Sequence, residues 1–172
     1  MNNPKINNRL YYKKNLTRNL SKNLIEKICK LKMQVWKYNF ESQLNHFVYN
    51  YAPNDIHNLL FKKNELIGYN CLKFQKDKNK KIIIFDSLVI HKKFRNTGLS
   101  KIIMFYSIKQ IKSKKINCYL KTNKNLISYY QSFGWKEIKT KMTNLKTKSN
   151  ERLLIYNGQN THQKLKSSSY CK

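Results

Sequence analysis

The chain has 172 residues, 40% of them hydrophobic and 13% aromatic, and a formal net charge of +28 from 36 Lys and Arg against 8 Asp and Glu. That length and apolar content predict one folded domain with its own core and exclude a disordered polycation. Cys29, Cys71, Cys118 and Cys171 form no CxxC pair, which excludes a zinc ribbon and a disulfide framework, and no run of about eighteen apolar residues is long enough for a membrane span.

From the N-terminus, Met1 to Leu20 is basic and Asn-rich, with no apolar stretch before a small-residue cleavage site. It does not read as a secretory signal, and a cytoplasmic protein with reduced thiols is expected. A short strand is expected at Leu10 to Lys13. Leu20, Leu24, Ile28, Leu31 and Val35 recur at helical spacing and predict a helix from about Asn19 to Trp36. Leu44, Phe47, Val48 and Tyr51 share a face of a second helix, Glu41 to Tyr51, before Pro53. His57 to Phe61, Glu65 to Phe74 and Ile82 to Ile90 read as an antiparallel meander. The third of these is the most apolar segment, as befits a strand in the middle of a sheet covered on both sides.

Gly98 opens a helix striped by Leu99, Ile102, Ile103 and Tyr106. A strand at Ile116 to Leu120 follows, then a short helix at Asn125 to Phe133 that aligns Leu126, Tyr130 and Phe133. Strands at Trp135 to Ile138 and Arg152 to Tyr156 close the series. The polar tail, residues 157–172, is expected to be disordered. The expected class is therefore α/β (α+β): a central mixed, mostly antiparallel sheet of six or seven strands with helices on both faces.

Only Arg9, Arg18, Arg95 and Arg152 are arginines, Ala52 is the sole alanine, and Asn and Ile abound, the residue usage of an AT-rich coding sequence. The lysines are spread along the chain. The charge thus has two readings, a compositional surplus on a solvated surface and a nucleic-acid footprint.

The junction with chemical content runs from Ile90 through His91-Lys92-Lys93-Phe94-Arg95-Asn96-Thr97-Gly98-Leu99-Ser100-Lys101. A turn entering a helix presents unpaired N–H groups and the positive end of the helix dipole, a site for a phosphate. Gly98 admits close backbone approach, or simply makes a tight turn, and Arg95 and the lysines give cationic cover.

Arg95-Asn96-Thr97-Gly98-Leu99-Ser100 resembles the R/Q-x-x-G-x-G/A acetyl-CoA signature of the GCN5-related N-acetyltransferases (GNAT). Asn123-x-x-Leu126-x-x-x-Tyr130-x-x-x-Gly134-Trp135 is similar to the same family's second motif, and the order and spacing agree. Ser100, Asn96, Lys92 and Leu126 depart from the usual residues, yet every backbone donor survives. The resemblance covers about Asn54 to Tyr156. It implies the GNAT acyl-CoA N-acyltransferase fold as a single domain over residues 1–156, with acceptor-side helices at about 19–51 and an acetyl-CoA-binding core at about 54–156.

It further implies acetyl-CoA as co-substrate, with no metal. Leu88, Val89 and Ile90 would pair with the pantetheine arm, and Arg95, Asn96, Thr97, Gly98, Leu99, Ser100 and Lys101 would bind the pyrophosphate. Asn123 would hydrogen-bond the cofactor, and Tyr130 would bind it and protonate the departing thiolate. The plainer reading of Tyr130 is a core tyrosine. Asp86, the one carboxylate inside the apolar strand, is expected on the face of Ile84, Leu88 and Ile90. It is a candidate base, or alternatively an Asp held by backbone or lysine. His57 is the candidate acceptor-pocket residue, while Cys118 reads as a small buried hydrophobe.

Eight carboxylates are too few to hold a polycation, so a small-molecule or sugar amine acceptor, anionic rather than polycationic, is expected. An acidic acyl-carrier protein would also suit the charge as donor. The competing readings are a basic nucleic-acid-binding module, with Tyr and Phe as stacking groups, and an acyltransferase fold without catalysis.

Overall fold

Two Lys-Asn turns shape the start of the sheet. Lys63 and Asn64 have φ of 48° and 67°, Lys78 and Asn79 have 45° and 63°, and paired left-handed residues match the twist of a two-residue hairpin. The computed structural model describes residues 10–139 and 143–158. The expected strand at the N-terminus is β1 (Leu10–Leu16), followed by α1 (Lys22–Met33) and α2 (Phe40–Asn50). The meander is β2 (Ile56–Lys62), β3 (Glu65–Asp77) and β4 (Lys80–Ile90). Then come α3 (Leu99–Lys114), β5 (Cys118–Asn123), α4 (Ile127–Gln131), β6 (Lys136–Ile138) and β7 (Glu151–Tyr156).

The strands form one seven-stranded sheet in the order β1-β2-β3-β4-β5-β7-β6, with the apolar β4 in the middle. β4 pairs with β5 in parallel, whereas β1/β2, β2/β3, β5/β7 and β6/β7 are antiparallel. The mixed sheet with helices is as the sequence predicts. Of the tail assigned as disordered, residues 159–172 lie outside the described residues. Among the described residues, no helix is long and apolar enough to cross a membrane.

The described chain divides into two compact units, 10–74 with 85–103, and 75–84 with 104–158. In the first, Ser21 and Asn39 cap α1 and α2 by accepting from the Leu24 and Ser42 amides. Ile28, Cys29, Leu31 and Phe47 of these helices pack with Leu59, Phe61, Tyr69, Cys71 and Val89. The opposite face carries Leu60 and Ile67, with Leu88, Ile90, Leu99, Ile102 and Ile103. A side chain on Gly68 would meet Ile103 Cδ1 at 2.6 Å, so glycine lets the helix lie against the strand. Val35, expected in the α1 stripe, lies past the helix end and is 46% exposed; Lys32 is buried in the stripe instead. Val48, expected on the buried face of α2, is 65% exposed.

In the second unit, Ile83 and Ile84 of β4 pair with Cys118 and Tyr119 of β5. Tyr130, Trp135 and Tyr156 form an edge-to-face aromatic series with centroids 6.3 and 5.6 Å apart. The strand expected at Ile116 to Leu120 starts and ends later, because its inward-facing residues are Cys118, Leu120 and Thr122. The helix expected over Asn125 to Phe133 is five residues long, preceded by a single 3₁₀ turn. That turn rotates Leu126 out of the stripe to 44% exposure.

Candidate active site

β4 changes character at Ser87, whose φ of 59° is left-handed inside a strand. One such residue breaks the two-residue alternation and transposes every side chain after it. Asp86 consequently does not share the face of Leu88 and Ile90, as strict alternation predicts. It lies on the α1/α2 side with Val89, where its Oδ2 accepts from Tyr51 Oη at 3.0 Å.

Around that hydroxyl stands a group of buried polar side chains. Lys32 Nζ donates to Tyr51 Oη at 3.2 Å and also lies over the Trp36 and Tyr51 rings, 5.8 and 5.4 Å from their centroids. Lys32 is 4% exposed, and burial lowers its pKa while Asp86 partly restores it. Lys73 Nζ lies over the Tyr51 ring at 5.4 Å. Burial pushes the Tyr51 hydroxyl well up, with the Asp86 charge adding to the effect.

His57, the second residue of β2, is fully buried between the Phe47 and Tyr69 rings. Its Nδ1 is 2.9 Å from Tyr69 Oη and its Nε2 2.8 Å from Thr17 Oγ1. Burial lowers its pKa to about 4, so it is neutral at physiological pH. Neighbouring Asp55 is structural: its two oxygens accept from the Ala52 and Phe74 amides.

Beyond β4 the chain makes a 3₁₀ turn at Lys92–Phe94 and enters α3 through two left-handed residues, Asn96 at φ 62° and Gly98 at φ 81°. A Cβ on Gly98 would meet nothing within 4 Å, so glycine is required there by φ alone. Thr97 Oγ1 donates to Phe94 O at 2.6 Å, and Lys101 N to Gly98 O at 2.9 Å. Arg95 donates from Nε to Ile90 O and from Nη2 to Gln34 O, tying the loop to the end of α1. His91 Nδ1 accepts from Lys93 N, a structural role.

In the second unit Tyr130 is buried, and burial raises its pKa, with Tyr129 beside it. Asn123 ends β5 exposed, and its side chain makes no capping hydrogen bond to the turn it precedes. Among the described residues no group of three His, Cys, Asp or Glu could hold a metal ion.

The model of the acetyltransferase (GNAT) family matches residues 25–135, more than half of the chain. The chain belongs to the GNAT family. A comparison with curated proteins gives no match. Among solved structures, Escherichia coli ElaA is similar with a TM-score of 0.68 at 15% identity, covering 86% of this chain and 99% of that one. An acyl-CoA N-acyltransferase from Pseudomonas aeruginosa gives 0.67 at 14% identity, again covering 86% and 99%. The PaiA N-acetyltransferase from Thermoplasma acidophilum, solved with coenzyme A, gives 0.58 at 16% identity and covers 87% and 99%. At such identities the likeness is one of fold.

In this GNAT chain the first unit holds Asp86, His57, Leu88 to Ile90 and the Arg95 to Lys101 loop, and Asp86 and His57 share one buried cluster through Tyr51 and Tyr69. Tyr130 and Asn123 belong to the second unit. Sequence reading missed Lys32, Tyr51, Tyr69 and Lys73. One signal was available: Lys32 stands four residues after Ile28, at a stripe position where apolar residues are the rule.

Proposed function

We propose that this chain transfers the acetyl group of acetyl-CoA to an amine by direct attack, as one acetyltransferase domain with α1 and α2 on the acceptor side. The observation that carries the reading is the entry into α3: two left-handed residues, a glycine with open space on its Cβ side, and then a sixteen-residue helix. A glycine-bearing loop ahead of a helix N-terminus fits a pyrophosphate. When bound, acetyl-CoA supplies an acetyl group activated as a thioester.

The protein groups divide the remaining work. The Asn96 to Ser100 backbone and the α3 dipole hold the pyrophosphate, with the Ser100 hydroxyl and the Lys101 ammonium beside it. The Lys101 amide is already bonded to Gly98 O and contributes nothing further. Arg95 acts mainly by fixing the loop, because its guanidinium bonds Ile90 O and Gln34 O. Leu88, Val89 and Ile90 lie C-terminal to the β4 residues that pair with β5, and their backbone groups receive the pantetheine arm. Asn123 hydrogen-bonds the cofactor.

Asp86 accepts the proton of the acceptor ammonium through water, freeing the nitrogen lone pair. The C–N bond forms as the C–S bond breaks, and the electron pair leaves on sulfur. Tyr130, kept protonated by burial, donates to that thiolate and is reprotonated through water by the second proton, which the nitrogen sheds as it becomes an amide, while Asp86 passes the first proton on to solvent. His57, neutral and enclosed, shapes the acceptor pocket through Tyr69 and does not exchange protons with substrate.

Calorimetric titration with acetyl-CoA, joined to a thiol-release assay over a panel of amines, tests the reading. Tyr130→Phe is expected to lower kcat by at least about tenfold and to weaken acetyl-CoA binding by much less. An unchanged kcat would remove Tyr130 as the acid. Failure of the wild-type chain to bind acetyl-CoA, with nucleic-acid affinity that falls steeply with salt, would replace the enzyme by a nucleic-acid-binding module.

A further inference from the structure

The loop ahead of α3 keeps an unfavourable backbone shape. Asn96, at φ 62°, is a non-glycine residue in the left-handed region, and Gly98 follows at 81°. Such backbone persists only where its surroundings over-determine it. β3 holds the start of the loop: His91 N donates to Ile67 O at 2.8 Å, and His91 Nε2 lies 3.6 Å from Glu65 Oε1. The 3₁₀ turn that follows is held by α1, through Gln34. This half-buried residue is the C-cap of α1, and its side-chain Oε1 accepts from Lys92 N at 2.9 Å while its backbone O accepts from Arg95 Nη2 at 3.1 Å.

The two bonds do different work. Gln34 O belongs to the carbonyls that a helix leaves unpaired at its C-terminus, so Arg95 completes α1 and sets a cation at the negative end of its dipole. The Gln34 amide acts in the other direction: it occupies the Lys92 N–H and fixes the turn from which Arg95 and Asn96 depart. Two residues earlier, Lys32 reaches Asp86 through the Tyr51 hydroxyl. The end of α1 thus grips the chain on both sides of Leu88, Val89 and Ile90, at the candidate base and at the cofactor loop.

We propose that Gln34 is a positioning residue for acetyl-CoA: its side-chain amide holds the Lys92–Phe94 turn so that the Asn96 to Ser100 backbone is already set to receive the pyrophosphate. The inference rests on the acetyltransferase reading, and it gives Gln34 no contact with the cofactor. A loop released from Gln34 holds its binding shape for only part of the time, and the apparent affinity falls by that fraction.

Gln34→Met keeps the length of the side chain and removes the acceptor. Calorimetric titration of the full chain with acetyl-CoA, an arm that needs no amine, should give a Kd at least about threefold above wild type, the worth of one hydrogen bond open to water. Gln34→Asn, whose amide stops one methylene short, should behave in the same way. With an amine that the thiol-release panel finds active, KM for acetyl-CoA should rise likewise and kcat should stay within about twofold of wild type. S-acetylpantetheine, which carries the thioester without the pyrophosphate, is the control donor, and its kcat/KM should change by less than about twofold. The proposal is overturned if Gln34→Met binds acetyl-CoA as wild type does, or if kcat/KM falls alike with both donors, as a general loosening of the site would require. Loss of acetyl-CoA binding by the wild-type chain is a different outcome, which removes the acetyltransferase reading and this inference together.

Discussion

Tyr51 Oη lies 3.2 Å from Lys32 Nζ and 3.0 Å from Asp86 Oδ2, so a single phenol joins a buried ammonium to the carboxylate of the central strand. The geometry requires Lys32 to donate to Tyr51 and Tyr51 to donate to Asp86, which fixes both the side chain and the proton that Asp86 receives. A polar chain of this kind is stable only while each member is satisfied.

Tyr51→Phe deletes the link without changing the ring. Two charged groups then lose a shared partner in an enclosed setting, and urea denaturation should report a loss of about 1–3 kcal/mol. Lys32→Met combined with Tyr51→Phe should cost less than the sum of the two changes, because both act on the same hydrogen bond. Full additivity would mean that the link contributes nothing to stability.

His57 makes stability depend on pH. Its pKa falls from 6.5 to about 4 in the folded chain, since burial penalises the imidazolium. Between those values the unfolded chain binds more protons than the folded one, so stability rises with pH through that window and falls as the solution is acidified. The span corresponds to about 3 kcal/mol, present above pH 6.5 and lost by about pH 4. His57→Gln should be less stable than wild type at pH 7.5 and show a shallower slope over pH 4–6.5, read from urea denaturation at a series of pH values.

Periodicity located most elements because α1, α3, β4 and β7 each keep an apolar stripe or run that only one secondary structure can bury. It misplaced Asp86, since a left-handed serine inside β4 is invisible to a period-two count. It also treated Tyr51 as one more member of the α2 apolar face, and nothing local says that its hydroxyl meets Lys32 and Asp86 across 19 and 35 residues of chain. The loop before α3 was legible because its chemistry is contiguous in sequence. The Lys32, Tyr51, Lys73 and Asp86 cluster was not, because it is assembled from α1, the residue that follows α2, and two strands.

Gly98→Ala isolates the α3 entry. Its φ of 81° penalises any side chain although the space is open, so a stability loss of about 1 kcal/mol is expected. Acetyl-CoA affinity should drop by more than that alone implies, since the loop must keep its shape to meet the pyrophosphate. Asn96→Gly, at φ 62°, should leave stability within about 0.5 kcal/mol of wild type, as the backbone strain it relieves is offset by chain entropy. Calorimetry and thermal denaturation of the pair check both statements.

Arg95 offers a different signature. Its guanidinium spans the carbonyls of Ile90 and Gln34, a reach that an ammonium cannot reproduce. Arg95→Lys should therefore lower acetyl-CoA affinity nearly as much as Arg95→Ala, by calorimetric titration. If the lysine variant binds like wild type, the residue acts on the cofactor as a plain positive charge.

The most direct measurement is mass-resolved acetyl transfer from acetyl-CoA to an amine acceptor, followed together with thiol release, in the wild-type chain and in Asp86→Asn. The expected result is one acetylated amine per thiol released, with kcat/KM lowered at least about tenfold in Asp86→Asn at unchanged acetyl-CoA affinity. A wild-type chain that binds no acetyl-CoA and acetylates no amine would contradict the account.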